Sequence, residues 1–168
     1  MQNRGKKIFL LLTITVPFLF YCLYYYGMMV KNAPYKFVEF ESLVFQYGER
    51  DNLINKYNSK TGEYQYVNSN DSLVKTKVRL NKDDLLYLHR KAADLGFWDF
   101  PAQSLGDTAS RNGVKPPRYL VEFNYQRKSK KVLFDASFNG PAKLKDANER
   151  LIKEIMNVLA DKEARQKK

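Results

Sequence analysis

The feature that most constrains this chain is an uncharged run of 23 residues near its amino terminus, Ile8 to Val30. At a rise of about 1.5 Å per residue, a helix of that length covers the roughly 30 Å hydrocarbon core of a bilayer. Tyrosines crowd the carboxyl half of the run, where aromatic rings favour the headgroup level. The run therefore predicts a single transmembrane helix that serves as a signal-anchor.

Two other interpretations of this segment remain open. A cleaved signal peptide needs small residues just before its cleavage site. Cleavage after Gly27 would place the large residue Tyr25 at the third position before the cut, where a small residue is required. A lipid anchor needs small residues before the modified cysteine, and two large aromatic residues precede Cys22. These mismatches favour an uncleaved anchor, with Cys22 as a small apolar residue of the helix.

Flanking charge sets the expected orientation of the run. Three basic residues precede it and two, Lys31 and Lys36, follow it, a small excess that favours a cytoplasmic amino terminus. The domain is then expected outside the cytoplasm, in a bacterial envelope; an inward-facing domain on acidic lipid or nucleic acid is a weaker alternative. The predicted divisions are a basic lead (1–7), the transmembrane helix (8–30), a short linker (31–36) and one domain (37–168).

Hydrophobic patterns after the linker predict strands, a helix, two strands and a final helix. Residues 37–47 suit a strand, 54–57 and 63–67 a hairpin, and 73–80 a half-buried strand. Asn81, with Asp84 three positions later, predicts the start of a helix that Gly96 ends. Residues 101–117 form a long irregular segment, 118–126 and 131–138 flank a polar turn at 127–130, and Gly140 opens the last helix. This order predicts an α+β domain, a mostly antiparallel sheet with two amphipathic helices packed on one face.

The sequence offers no motif for catalysis, a metal or a cofactor. One histidine and one cysteine cannot build a typical zinc site, which needs three or four such ligands. His89 lies beside the apolar stripe of its helix without an activated nucleophile motif, which favours a structural role. Phosphate-binding glycine motifs are missing from the sequence. We therefore expect a non-enzymatic domain with no catalytic residue, no metal and no cofactor.

Positive charge is the main indication of a partner. After the span the chain carries 26 basic and 18 acidic residues, a net charge of +8, which suits an anionic lipid, an anionic envelope polymer or an acidic protein. Aromatic residues alternate to the opposite strand faces, which argues against nucleic acid. The simpler alternative is that these charged side chains bind no partner and, being solvated, keep a sheet edge or a hairpin tip soluble. The candidate contacts are Lys75, Lys77, Arg79, Arg127, Lys128, Lys130 and Lys131.

The segment 101–117 is the second candidate site, because loops of this length are often functional. Asp107, Ser110 and Arg111 could bind a ligand there, although its turn-rich composition equally suits a solvated excursion. The alternative function is therefore a membrane-anchored envelope enzyme that uses a carboxylate or a lysine near this loop.

Two segments carry a resemblance: VRLNKDDLLYLHRKAADLGFWDFP, and the hairpin RYLVEFNYQRKSKKVLFD after the long loop. They resemble small bacterial envelope proteins of uncharacterised function, membrane- or lipid-anchored, in which a helix ends in Gly-Phe-Trp/Phe-Asp between two hairpins and a closing helix follows. The similarity covers roughly residues 37–159. The resemblance implies a fold and a location. Its motifs are features of the core and of turns, so it identifies no catalytic residue in this chain.

Overall fold

The computed structural model describes residues 3–31, 34–106 and 116–166, and the chain divides into two compact units, Met1–Tyr35 and Lys36–Lys168. The first unit contains helix α1 (Asn3–Lys31), which continues through Pro17. Its segment Arg4–Gly27 is long and apolar enough to cross a membrane, and Cys22 is exposed on it. It is the one helix of that kind among the described residues.

Within the described residues, the second unit is a sheet of seven strands with two long helices, which confirms the predicted α+β class. The order across the sheet is β4-β3-β2-β1-β6-β7-β5, and neighbouring strands are antiparallel except β5 and β7. The strands are β1 (Phe40–Glu49), β2 (Asn52–Asn58), β3 (Glu63–Val67), β4 (Leu73–Lys77), β5 (Gln103–Ser104), β6 (Pro117–Tyr125) and β7 (Ser129–Asp135). The helices are α2 (Lys82–Asp94) and α3 (Ala142–Gln166), with 3-10 turns at Phe37–Glu39 and Phe97–Asp99.

The core lies between one face of the sheet and the two helices. Alternation along β1 sends Leu43 and Phe45 to this helix-facing side, where they lie opposite Phe123 and Val121 of β6. All four side chains are buried. From α3, residues recurring at helical spacing complete the core, namely Leu151, Ile155 and Leu159. The sheet therefore buries one face, and α2 and α3 both pack on that face; we call the opposite side the open face.

Local polar chemistry sets the ends of α2 as the sequence predicts. The Asn81 side chain accepts a hydrogen bond from the Asp84 backbone N–H at 2.8 Å, and the Asp84 carboxylate accepts one from the Asn81 N–H at 2.8 Å. This reciprocal capping box satisfies two donors that the first helical turn leaves without partners. Gly96, at φ +75°, adopts the left-handed conformation that ends the helix.

Several predicted boundaries are wrong. The first strand begins at Phe40, because Phe37–Glu39 form a 3-10 turn, and β4 ends at Lys77. The strand expected at 131–138 is β7, Ser129–Asp135, since the Asp135 carboxylate accepts a hydrogen bond from the Ser137 N–H and turns the chain there. The irregular segment 101–117 contains β5, which pairs with β7, and the first residue of β6.

Candidate anion-binding groove on the open sheet face

The open face of the sheet, opposite α2 and α3, has a concave region of about 720 Å³ over strands β1 to β4. We call it the open-face groove. The charged and amide side chains that line it are Gln46, Lys56, Asn58, Glu63, Gln65, Lys75 and Lys77. Three ammonium groups thus share one concavity with one carboxylate. Because a concave surface with an excess of one sign of charge raises the local concentration of counter-ions, this geometry favours an anionic ligand.

Strand register arranges four of these side chains in a row across the sheet. Lys75 of β4 lies opposite Gln65 of β3, Gln65 lies opposite Lys56 of β2, and Lys56 lies opposite Gln46 of β1. We call these four the cation–amide row. Since neighbouring strands lie about 4.8 Å apart, the backbones of the two lysines are about 10 Å apart, with an amide between them.

A second row, next to the first, is partly neutralised. Lys77 lies opposite Glu63, which lies opposite Asn58. The Glu63 carboxylate accepts a hydrogen bond from the Thr61 hydroxyl at 3.3 Å, and the side-chain Oδ1 of Asn58 accepts one from the Lys60 N–H at 2.9 Å. Opposite charges on facing strands attract, so Lys77 is partly compensated while the cation–amide row contains no carboxylate.

The first three predicted contacts lie at or next to this groove. Lys75 and Lys77 line it and are exposed, as the alternation in 73–80 predicts. Arg79 follows the end of β4, and its side chain passes close to Gly62 in the turn between β2 and β3. Lys56 is the groove residue that the sequence reasoning missed.

The other four predicted contacts do not form one surface. Arg127 forms an ion pair with Glu39, and this pair lowers the pKa of the Glu39 carboxyl below its usual value. Partial burial lowers the pKa of Lys128. Lys131 is exposed and lies opposite Glu122 of β6, a pairing that offsets its charge.

Lys130 points away from the open face. It lies opposite Phe123, a core residue, and its ammonium donates to the Phe100 carbonyl oxygen. Burial lowers the pKa of Lys130. The predicted polar turn at 127–130 is therefore wrong at its last two positions, because β7 already begins at Ser129 and its alternation sends Lys130 inward.

The candidate loop residues Asp107, Ser110 and Arg111 lie outside the described residues. Among the described residues, Asp135 at the end of β7 is a buried carboxylate, 2% exposed. Its Oδ1 accepts hydrogen bonds from the Ser137 N–H at 2.9 Å and hydroxyl at 2.7 Å, and its Oδ2 accepts one from Arg118 at 3.3 Å. These hydrogen bonds end β7 at Asp135 and join it to Arg118 of the neighbouring strand β6. The buried carboxylate therefore has a structural role.

The single histidine belongs to the core. His89 is 8% exposed, and its Nδ1 lies 2.8 Å from the Tyr125 hydroxyl. Its ring centroid lies 5.4 Å from that of Trp98 and 5.5 Å from that of Phe37. Burial lowers the pKa of His89, chiefly because the charged imidazolium is poorly solvated there. The ring therefore packs in an aromatic cluster between α2 and the sheet.

In the part of the chain that the structure describes, no group of three or more His, Cys, Asp or Glu side chains is placed to hold a metal ion. Comparison with models of known protein families gives no match, and comparison with curated proteins gives none either. The resemblance to bacterial envelope proteins stays a prediction. The functional argument therefore starts from the groove itself.

Proposed function

We propose that this protein is a single-pass, membrane-anchored binding domain that faces away from the cytoplasm and holds an anionic partner in its open-face groove, without catalysing a reaction. The observation that carries this proposal is the convergence of Lys56, Lys75 and Lys77 in one concavity on the open face of the sheet.

Binding is favoured over catalysis by the chemistry of the groove. Its charged side chains are three exposed lysines and one exposed glutamate, in positions where water solvates them. Catalytic acids, bases and nucleophiles are usually activated by burial or by a close charged neighbour. Exposed lysines in register are better suited to holding a charged surface than to transferring a proton.

Location follows from α1 and from the charges that flank it. The Arg4–Gly27 segment suits an anchor, and the small excess of basic residues before it favours a cytoplasmic amino terminus. A reporter fused after Lys168 should be active only outside the cytoplasm, and the full-length chain should stay in membranes after an alkaline wash. A soluble processed form would contradict the anchor, and a cytoplasmic reporter would contradict the orientation.

The groove is tested by removing its charge in the full-length protein, held in zwitterionic nanodiscs. The variant is Lys56→Gln, Lys75→Gln and Lys77→Gln combined. Three exposed ion pairs contribute about 0.5–1 kcal/mol each, and about 1.4 kcal/mol is tenfold in affinity. We therefore expect polyanion binding to weaken by roughly 10- to 100-fold, and binding by the unmodified protein to weaken with added salt.

A matched variant separates the groove from overall charge. Lys143→Gln, Lys153→Gln and Arg165→Gln combined also removes three positive charges, all from exposed positions on α3. Its affinity should stay within about twofold of the unmodified protein. If both variants lose affinity equally, net charge rather than the groove binds the polyanion, and the proposal is wrong.

A further inference from the structure

On the basis of the proposed function, we infer that the partner in the open-face groove is an extended acidic glycan that carries its anionic groups on alternate sugars and lies along the cation–amide row. The inference deepens the proposed function, because it names the class of anion.

The alternation of the row carries this inference. Lys75 and Lys56 supply positive charge, and Gln65 and Gln46 supply neutral amides that both donate and accept hydrogen bonds. Two sugar rings of an extended glycan cover a length comparable to the distance of about 10 Å between the two lysines. An anionic group on every second sugar can therefore meet successive lysines while the hydroxyls of the neutral sugar between them meet Gln65.

Gln65 is held in place for such a contact. Its side-chain N–H donates to the Ile54 carbonyl oxygen at 2.7 Å, which restricts the orientation of the amide. A restricted side chain loses less conformational entropy when it binds a ligand. The neutral position of the row is therefore preorganised, in contrast to the flexible lysine side chains on either side.

The direction of the row argues against a peptide. A bound peptide strand usually adds to a sheet edge, parallel to the strands, where free backbone groups meet it. The cation–amide row instead crosses the strands, and the backbones of β2 and β3 are paired on both sides. Recognition here must come from side chains, which suits a polymer of charged groups and hydroxyls.

The remaining groove side chains argue against nucleic acid and favour the cation–amide row over the neighbouring row as the place where the ligand lies. The two groove tyrosines belong to the helix-facing side, where Tyr57 is 1% exposed, so they offer no base a stacking surface. Glu63 in the neighbouring row repels an anionic group placed beside it. An acidic glycan is therefore favoured along the cation–amide row and disfavoured along the other.

The test compares anionic polymers of equal charge on full-length protein in zwitterionic nanodiscs. The probes are hyaluronan oligosaccharides, which carry a carboxylate on every second sugar, polygalacturonate, which carries one on each sugar, polyglutamate and inorganic polyphosphate. We expect hyaluronan to bind at least about fivefold more tightly than polyglutamate or polyphosphate. Glu63→Gln should tighten binding of hyaluronan, because it removes the repelling carboxylate.

The neutral position is tested with Gln65→Leu, whose fold is checked by the fluorescence of the chain's single tryptophan. Loss of one neutral hydrogen bond should weaken hyaluronan binding about fivefold and leave polyphosphate binding unchanged. Gln46→Leu, at the end of the row, provides a second variant if Gln65→Leu fails to fold. Gln103→Leu is the control, because Gln103 is exposed on β5, at the opposite edge of the sheet.

The outcomes separate the two proposals. If polygalacturonate, polyglutamate, polyphosphate or acidic-lipid vesicles bind as tightly as hyaluronan, and the triple lysine variant still weakens that binding, then the groove binds anions but the inference of a glycan charged on alternate sugars is wrong. If every probe binds independently of Lys56, Lys75 and Lys77, the proposed function itself is wrong. Preferential binding of hyaluronan that requires both the lysines and Gln65 supports both.

Discussion

Replacing Tyr125 by phenylalanine should destabilise the domain by removing the partner of its single histidine. The Tyr125 hydroxyl lies 2.8 Å from His89 Nδ1, and it is the described hydrogen-bond partner of that ring nitrogen. Tyr125→Phe leaves the volume of the side chain almost unchanged, so the packing of the aromatic cluster should survive. The cost is therefore that of a buried polar atom without a partner.

The expected magnitude follows from that cost. A buried hydrogen-bonding group left unsatisfied costs about 1–3 kcal/mol. The unit has about 130 residues, for which about 2 kcal/mol corresponds to a decrease in Tm of roughly 6–10 °C. Replacing both partners, Tyr125→Phe with His89→Phe, removes both polar groups and should restore most of the lost stability.

The assay uses the one tryptophan of the chain. The Trp98 ring lies 5.4 Å from that of His89 and 5.9 Å from that of Tyr125, so its fluorescence reports on this cluster directly. Urea unfolding of the full-length protein in detergent gives the free energy of unfolding. Tyr87→Phe is the matched control, because its hydroxyl bonds Glu154 at an exposed site; it should cost less than about 0.5 kcal/mol.

The pH dependence of stability gives an independent check. Because burial lowers the pKa of His89, the unfolded state binds more protons than the folded state just below the ordinary value of 6.5. The free energy of unfolding should therefore fall as the pH decreases through about 6.5, above the range where carboxylates titrate. His89→Phe should remove this slope. Persistence of the slope in His89→Phe, or a Tyr125→Phe cost no larger than that of Tyr87→Phe, would refute the reasoning.

Three further predictions use the same fluorescence assay. Asn81→Ala removes the side chain that caps α2 and should cost about 1 kcal/mol, whereas an unchanged urea midpoint would mean that the capping box contributes nothing. Gly48→Ala would place a Cβ 2.0 Å from the Asn52 carbonyl oxygen and should cost about 1–3 kcal/mol; a neutral result would show that the β1–β2 turn adjusts freely. Ile155→Ala empties a fully buried position of α3 and should cost about 2–5 kcal/mol, against about 0.5–1.5 kcal/mol for Ile155→Val; equal losses would contradict tight packing there.

Features that a few neighbouring residues determine were predictable from the sequence. The capping box at Asn81 and Asp84 depends on a spacing of three residues, and the outer-face position of Lys75 and Lys77 depends on simple alternation. The inward position of Lys130 could also have been found, because Val132 and Phe134 extend the same alternation back to it. The polar character of the 127–130 segment concealed that signal.

The groove was harder to predict, because it depends on the register of two hairpins together. Lys56 meets Lys75 across Gln65 only when the turns after β2 and after β3 each close at one particular residue. A slip of one residue in the turn after β2 would send Gln65 to the helix-facing side, and a slip in the turn after β3 would send Lys75 there. Strand β5 was missed for another reason: two residues are too short for any periodicity.

The position of β1 also determines when this chain can fold. It pairs with β2 directly after it and with β6 about 75 residues later, and α3, which supplies buried residues to the core, comes later still. At a synthesis rate of about 5–20 residues per second, the interval between Phe45 and Leu159 lasts roughly 5–25 s. During that interval the apolar side chains of β1 in the nascent chain lack the core residues that α3 supplies. We therefore expect the core to close only after α3 has been synthesised, and a chain truncated before α3 to be prone to aggregation.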